Sequence, residues 1–219
     1  LIYALKKIFV FNKMKKKIEK ILIINSGKGG NLRKIYPSLK KKNFQIFAFI
    51  YNSEKLFRFC IKNNIETFHV KKTSRKNLDK LLLNYADLIK PSINLLFYNY
   101  IIKNNFIKKH KNIFNLHYTL LPKYKGINGL ESSLNSKDEE LGCTFHAVNE
   151  KVDSGKIIIQ QKFKNLSRYS KFKKRKKLFF LGITILKKFI SNIDYFLTTM
   201  KKKKKKIEVK DVVNEIKKI

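Results

Sequence analysis

The stretch "KILIINSGKGGNLRKIYPSLKKK", residues 20–42, contains the strand, turn and helix with which the predicted fold begins. Its first part, 20–27, is an aliphatic run that ends in glycine, which predicts a buried strand. Its second part, 31–42, has apolar residues at helical spacing, although Pro37 is unfavourable in the middle of a helix. A strand followed by a helix is the repeating unit of parallel sheets.

The same alternation of strands and helices continues along the chain. Further strands are predicted at 44–51, 65–70, 93–99, 112–117, 141–150 and 156–163, and helices at 53–64, 74–89, 103–110 and 172–198. Because such alternation builds parallel sheets covered on both sides, we predict an α/β fold: a Rossmann-like doubly wound, mainly parallel sheet with helices on both faces.

Length and composition predict one domain flanked by terminal segments. The 219 residues, 43% of them hydrophobic, suffice for one sizeable core. Residues 1–13 precede Met14 and place a short apolar patch before lysines, the wrong order for a secretory signal, so we interpret them as a non-native N-terminal extension. We expect the folded domain over 14–199 and a frayed or disordered lysine-rich tail over 200–219.

Hydropathy and cysteine usage indicate the compartment. No run of about 20 apolar residues occurs, so neither a transmembrane helix nor a membrane partner is predicted. The two cysteines, Cys60 and Cys143, stand alone in apolar surroundings and form neither a disulfide framework nor a zinc spacing. This pattern favours a reducing, cytoplasmic location and predicts no metal site, since His117 and His146 share no metal-ligand spacing with Cys143.

The formal net charge of +36 suggests attraction to nucleic acid or another polyanion. Only five of the 51 basic residues are arginine, the residue preferred for forked contacts to phosphates and bases. The chain is also rich in Asn, Ile, Phe and Tyr, which share AT-rich codons with Lys. We therefore interpret the lysines as compositional drift on a solvated surface that attracts small anionic substrates, and expect no functional nucleic-acid partner. Non-catalytic polyanion binding is the rival from another class, and either a monomer or a dimer is compatible with the sequence.

A glycine-rich loop, "SGKGGNL" at 26–32, joins the first predicted strand to the first helix. Glycines let a backbone approach a ligand closely, and a helix N-terminus presents free N–H groups that suit an anion such as phosphate. The loop matches neither the dinucleotide fingerprint nor the longer phosphate loop that ends in Gly-Lys-Ser/Thr. Its candidate phosphate-binding residues are Gly27, Gly29, Gly30 and Asn31, and the alternative is a tight turn without a ligand.

Three polar residues further along the chain are candidate catalytic groups. Asn115 and His117 are two positions apart on a predicted strand and therefore project from the same face. An asparagine amide can donate to an oxyanion, and a histidine can transfer a proton near neutral pH. Asp153 follows in the loop "KVDSG", where it could orient a histidine or water. The alternatives are a hydrogen-bonded pair that fixes the next loop and an aspartate that stabilises a turn.

The order and wording of these motifs resemble those of the folate-dependent formyltransferase family. That family carries a strand ending in Asn-x-His, then a "SLLPKYxG"-like loop and a "GxTxHxVxExxDxGxII" stretch. The matching segments here are "NLH" at 115–117, "TLLPKYKG" at 119–126 and "GCTFHAVNEKVDSGKIII" at 142–159. The resemblance extends over about residues 18–165, and the glycine-rich loop is most similar to that of the glycinamide ribonucleotide formyltransferases of purine synthesis.

The resemblance implies transfer of a formyl group from 10-formyltetrahydrofolate to a primary amine, without a metal. It implies that Asn115 hydrogen-bonds the formyl oxygen, that His117 supports the same charge and relays a proton, and that Asp153 holds the water or protonated histidine that completes the relay. It also implies a slot for the folate pterin. The residues expected to line that slot are Tyr98, Tyr100, Ile101, Ile102, Lys151 and Val152.

Three departures from the purine enzymes concern the acceptor side. Tyr118 stands where those enzymes usually have proline, Asn99-Tyr100 stands where they have Met-Arg, and the helix "KKRKKLFFLGITILKKFI" lacks their Gln-Glu-His segment. Glycinamide ribonucleotide is therefore the first expected acceptor, and an amino-sugar nucleotide is the alternative. Hydrolysis of the formyl-folate by water and a degenerate, inactive copy are further alternatives.

Overall fold

The computed structural model describes residues 18–203, which form one seven-stranded sheet covered by helices. The strand order is β3-β2-β1-β4-β5-β6-β7. The strands are β1 (Glu19–Asn25), β2 (Phe44–Tyr51), β3 (Glu66–Val70), β4 (Ile93–Phe97), β5 (Ile113–His117), β6 (Glu140–Ala147) and β7 (Ile157–Lys164). Strands β1 to β5 are parallel, whereas β6 and β7 are antiparallel to their neighbours. The predicted Rossmann-like, mainly parallel sheet is confirmed.

Helices cover both faces of the sheet, as expected. They are α1 (Gly30–Lys40), α2 (Glu54–Lys62), α3 (Arg75–Ile89), α4 (Asn104–Lys109), α5 (Gly129–Asn135), α6 (Lys171–Ser191) and α7 (Ile193–Lys203). Side chains of α1, α2, α6 and α7 pack in one core, and those of α3 and α4 pack in a second core on the opposite face. Alternate residues of β1 enter the two cores: Ile21 and Ile23 the first, Leu22 and Ile24 the second. This two-sided burial explains why β1 is a continuous aliphatic run.

Several sequence-based boundaries differ from the structure, and the strand predicted over 141–150 ends at Ala147. The helix predicted over 172–198 is two helices, because the Asn192 side chain bonds the Lys188 carbonyl at 2.9 Å and caps α6. The strand predicted over 93–99 ends at Phe97, and the chain bends at residues 99–100. Helix α5 has no counterpart among the predictions, since it is short and polar. Pro37 lies inside α1 with its ring exposed, so the helix continues past it.

The terminal predictions fall mostly outside the described residues. The proposed extension at 1–13 and the part of the lysine-rich tail after 203 lie beyond the described range, while 200–203 continue α7. Across residues 18–203, none of the helices combines the length and apolar character needed to cross a membrane.

Candidate active site

A cavity of about 730 Å³ opens at the carboxyl ends of β1, β4 and β5. In the strand order, β1 lies between β2 and β4, so the connections that follow β1 and β4 run in opposite directions across the sheet. Open parallel sheets bind ligands at such a reversal, because the two loops diverge there and leave a crevice. The cavity wall combines the glycine-rich loop, the segment after β4, the end of β5 and the loop before β7.

Asn115, His117 and Asp153 meet in this cavity, together with His146, which sequence analysis did not select. The antiparallel register of β5 and β6 pairs Asn115 with His146. The Asn115 Nδ2 lies 3.3 Å from His146 Nε2. Asp153 approaches both histidines, with Oδ2 at 3.5 Å from His117 Nδ1 and Oδ1 at 3.5 Å from His146 Nε2. One carboxylate therefore bridges two imidazole rings beside a single amide.

Each histidine has one ring nitrogen held by a main-chain carbonyl. His117 Nε2 lies 2.8 Å from the Tyr124 oxygen, and His146 Nδ1 lies 2.9 Å from the Ala147 oxygen. A carbonyl only accepts, so both of these nitrogens carry a proton. The remaining nitrogen of each ring faces Asp153. A proton taken up at His117 Nδ1 would therefore be stabilised at once by the carboxylate.

The Asp153 carboxylate is nearly buried, yet it is held in its charged form. Its side chain is 11% exposed, and this burial by itself would raise its pKa. Favourable interactions with His146, with His117 and with the main-chain N–H of Gly126 outweigh burial and lower the pKa of Asp153 to about 2. The Gly126 N–H donates to Oδ2 at 2.8 Å. Asp153 is thus an anion throughout the neutral range.

The loop that presents Asp153 has a constrained backbone. Asp153 has φ 47°, in the left-handed region that aspartate tolerates better than most residues. Two residues later, a Cβ on Gly155 would lie 1.7 Å from the Ala147 carbonyl oxygen, so only glycine fits. The loop is therefore pressed against the end of β6, which brings Asp153 and His146 together.

The glycine-rich loop leaves the first turn of α1 open to a ligand. Gly29 is the N-cap residue, with φ 74° and no side-chain capping bond, so the first N–H groups of α1 have no side-chain acceptor at this position. A Cβ at Gly29 would also lie 2.4 Å from the Leu56 side chain. Asn25, buried at the end of β1, fixes the loop by donating to the Gly27 carbonyl at 2.7 Å. Gly27, Gly29, Gly30 and Asn31 all line the cavity.

Five of the six residues expected at the pterin slot also line the cavity: Tyr98, Tyr100, Ile101, Ile102 and Val152. Lys151 does not, and its side chain is exposed. The Tyr98 and Tyr100 rings are 5.2 Å apart, and the guanidinium of Arg75 lies 4.8 Å from the Tyr100 centroid. Burial raises the pKa of Tyr98, so its hydroxyl stays protonated at neutral pH. This side of the cavity is aromatic and aliphatic, which suits a flat ring system.

Sequence reasoning missed His146 and Asn25 for different reasons. His146 has no metal-ligand spacing, but it is part of the "GCTFHAV" motif, and that motif is the available sequence clue to its role. Asn25 lies within a predicted aliphatic strand and gives no sequence clue to its bond with the loop. Among residues 18–203, no cluster of three or more His, Cys, Asp or Glu side chains is arranged to hold a metal ion.

Comparison with known proteins identifies a family and several relatives of this chain. Residues 19–188 match the sequence model of the formyl transferase family. The trifunctional purine biosynthetic protein adenosine-3 of Chironomus tentans is 29% identical over 161 residues, which are 65% of this chain and 11% of that protein. The methionyl-tRNA formyltransferase of Borreliella burgdorferi (strain ZS7) is 32% identical over 113 residues, which are 51% of this chain and 36% of that protein.

A solved structure extends the similarity to the fold. The phosphoribosylglycinamide formyltransferase from Campylobacter jejuni subsp. jejuni NCTC 11168 superposes with a TM-score of 0.70 at 26% identity, covering 82% of this chain and 98% of that chain. By contrast, the chain spans only 11% and 36% of the two relatives named above, which carry further segments. Asn115, His117 and Asp153 line one cavity of the domain that this family model matches. The match over residues 19–188 shows that this chain belongs to the formyl transferase family.

Proposed function

We propose that the protein transfers a formyl group from 10-formyltetrahydrofolate to a primary amine, with glycinamide ribonucleotide as the acceptor. The observation that carries this proposal is the convergence of Asn115, His117 and Asp153 in one cavity that also reaches the glycine-rich loop. An amide donor, a proton carrier and a fixed anion are the groups that formyl transfer requires.

The residues present fit the folate donor. The wall formed by Tyr98, Ile102 and Val152 offers apolar contact to a pterin, and main-chain groups beside it can pair with the ring's polar edge. When bound, the folate supplies a formyl carbon whose oxygen gains negative charge as the amine attacks. The protein must then stabilise that oxygen and move one proton from the amine nitrogen to the departing folate nitrogen.

Asn115 is the group suited to the developing negative charge. Its amide Nδ2 is a hydrogen-bond donor at the cavity wall, and its strand is held between β4 and β6, so the donor is fixed before the reaction. A preorganised donor of this kind contributes about 3 kcal/mol to the transition state. The Nε2 of His146, 3.3 Å from Nδ2, can accept one amide N–H of Asn115 and so orient the amide.

His117 and Asp153 are suited to the proton transfer. A proton accepted at His117 Nδ1 forms an imidazolium whose second N–H is already bound by the Tyr124 carbonyl. Asp153, whose pKa is about 2, remains charged and stabilises this cation. The same proton is then available to the leaving folate nitrogen, so none is gained or lost overall.

The choice of acceptor rests on the anion-binding end of the cavity. The open first turn of α1 attracts a phosphate, and Lys28 adds positive charge to the cavity wall, where Arg175 is paired with Glu131. A ribonucleotide with a free amine satisfies both ends of the site. The Campylobacter jejuni relative, whose name specifies phosphoribosylglycinamide, supports the same acceptor.

The test offers the purified protein 10-formyltetrahydrofolate with glycinamide ribonucleotide, with an amino-sugar nucleotide, or with neither. Mass spectrometry then identifies any formylated product. Formylation of the ribonucleotide supports the proposal, and formylation of the sugar alone would transfer the same mechanism to the alternative acceptor. Folate consumption without either product would indicate water as the acceptor, and no reaction in any tube would refute the proposal.

We also propose that the protein acts in the cytoplasm and needs no nucleic-acid partner. Both cysteines are buried and unpaired, which suits a reducing compartment. The cavity accepts small molecules, and the lysine surface provides long-range attraction for anionic ones. Whether the protein is a monomer or a dimer can be measured by light scattering.

A further inference from the structure

Tyr118 forms a hydrogen bond that links two distant parts of the cavity wall. Its hydroxyl donates to Asn31 Oδ1 at 2.6 Å, across 87 residues of sequence. Tyr118 follows His117 at the end of β5, and Asn31 lies in the first turn of α1. The bond therefore connects the strand that carries the candidate catalytic histidine to the loop suited to the acceptor's phosphate.

The position of the Tyr118 ring is determined by a glycine on a third element. Gly182 lies in the middle of α6, and a Cβ there would be 2.9 Å from Tyr118 Cε1 and 2.9 Å from Leu116 Cδ2. The ring thus occupies the space that the missing side chain leaves. Burial raises the pKa of Tyr118, so its hydroxyl is a protonated donor throughout the neutral range.

The bond also determines which end of the Asn31 amide is free. An asparagine amide has one acceptor end and one donor end, and the phenol of Tyr118 takes the acceptor. Within residues 18–203, the Asn31 side chain makes no other hydrogen bond. The donor Nδ2 therefore remains for a ligand beside the free N–H groups of α1. An unrestrained amide could instead turn its oxygen towards an anion, which would weaken binding.

We propose that Tyr118 is a positioning residue that orients Asn31 for the anionic group of the acceptor, and that Gly182 provides the space for its ring. The proposal deepens the proposed function and rests on it for the identity of the acceptor. It assigns a role to Tyr118, one of the positions at which this chain departs from the purine enzymes it resembles.

The first test compares Tyr118→Phe with the matched control Tyr36→Phe. Tyr36 lies on α1, as Asn31 does, and its hydroxyl donates to the Asn63 carbonyl at 3.1 Å, but it does not line the cavity. We expect Tyr118→Phe to raise the KM for the acceptor about tenfold, with kcat and the KM for folate within twofold, since a lost orienting bond weakens binding by about this factor. An equal rise in Tyr36→Phe, or no rise in Tyr118→Phe, would overturn the proposal.

A double-mutant cycle tests whether Tyr118 acts through Asn31. If it does, Tyr118→Phe combined with Asn31→Ala raises the acceptor KM no further than Asn31→Ala alone. Independent, multiplying effects would contradict an action through Asn31. We expect Gly182→Ala to reproduce the KM effect of Tyr118→Phe, because its new methyl group displaces the ring. A normal acceptor KM in Gly182→Ala would refute the role of the glycine.

A third measurement does not depend on formyl transfer. Inorganic phosphate, titrated by calorimetry, is expected to bind the wild-type protein and Tyr36→Phe equally, and Tyr118→Phe about tenfold more weakly. If the wild-type protein formylates no acceptor but this difference is found, the proposed function fails while the positioning of an anion site stands. Equal phosphate affinity in all three proteins would overturn the positioning role.

Discussion

Replacing Asp153 by asparagine removes one negative charge from between two histidines and changes little else. The asparagine oxygen can still accept the Gly126 N–H, which now donates to Asp153 Oδ2 at 2.8 Å. Asparagine is nearly the same size and also tolerates the positive φ of 47°. The variant should therefore keep the loop in place, and the change in activity reports the charge.

The size of the effect follows from the pKa of Asp153. A pKa lowered from 3.8 to about 2 corresponds to about 2 kcal/mol of net interaction that favours the carboxylate over the acid. The favourable contributions of His146, His117 and Gly126 together exceed this net value, since burial acts in the opposite direction. Asp153→Asn keeps the Gly126 bond but loses the charge interaction with both histidines, so the transfer should slow by about 30-fold, and a disturbed proton path would add to this.

The assay measures kcat for formyl transfer at saturating folate and acceptor, with thermal unfolding as the check on folding. The matched control is Asp138→Asn, an aspartate that is bonded by the Tyr124 hydroxyl at 2.8 Å but does not line the cavity. We expect kcat to fall about 30-fold or more in Asp153→Asn and less than threefold in Asp138→Asn. A kcat for Asp153→Asn within threefold of the wild type, with the fold intact, would refute the proposed role of the carboxylate.

Three further predictions concern the same cavity. Asn115→Ala should lower kcat about 10²–10³-fold while both KM values change less than threefold, since the amide acts on charge that develops only in the transition state. Steady-state kinetics measure both constants, and a rise in KM without a fall in kcat would contradict the prediction. Because the folded-state pKa of Asp153 is depressed, its charge stabilises the fold above pH 4, and this contribution is lost as the pH falls through about 2. The difference in unfolding free energy between the wild type and Asp153→Asn should therefore shrink between pH 4 and about 2. A difference that does not change with pH would contradict this prediction. Gly155→Ala should lower the unfolding free energy by about 3 kcal/mol, because its Cβ would lie 1.7 Å from the Ala147 oxygen. Gly27→Ala, which has open space around the new methyl group, should change the unfolding free energy by less than about 1 kcal/mol. Denaturant titrations measure both values, and equal stabilities of the two variants would show that the loop adapts.

The strongly basic surface affects how an anionic substrate reaches the cavity more than it affects the reaction inside it. The pocket itself holds few charged groups, and the end that contains the candidate catalytic residues has an amide, two imidazoles and one carboxylate. Exposed lysines act over long distances and are screened by salt. Raising the ionic strength would therefore weaken capture of an anionic acceptor and leave the rate of the bound complex nearly unchanged.

The sequence by itself determined the fold class and the three motif residues. Buried strands such as β1 are continuous aliphatic runs, and helices repeat apolar residues every three or four positions, so local patterns are enough to identify them. Asn115 and His117 could be placed on one face because side chains two apart on a strand always share a face. The wording of the "VDSG" segment then associated Asp153 with them, through resemblance to a family.

Only the tertiary structure decided which groups meet. His146 reaches Asn115 because β6 runs antiparallel to β5 in a register that depends on the whole sheet. Tyr118 reaches Asn31 because α6 offers a glycine at the point where the ring must pass. The break between α6 and α7 likewise depends on the Asn192 side chain, which donates to the Lys188 carbonyl at the end of α6. Such contacts join segments far apart in sequence or depend on small differences in free energy. Contacts of both kinds leave no periodic pattern in the sequence from which they could be predicted.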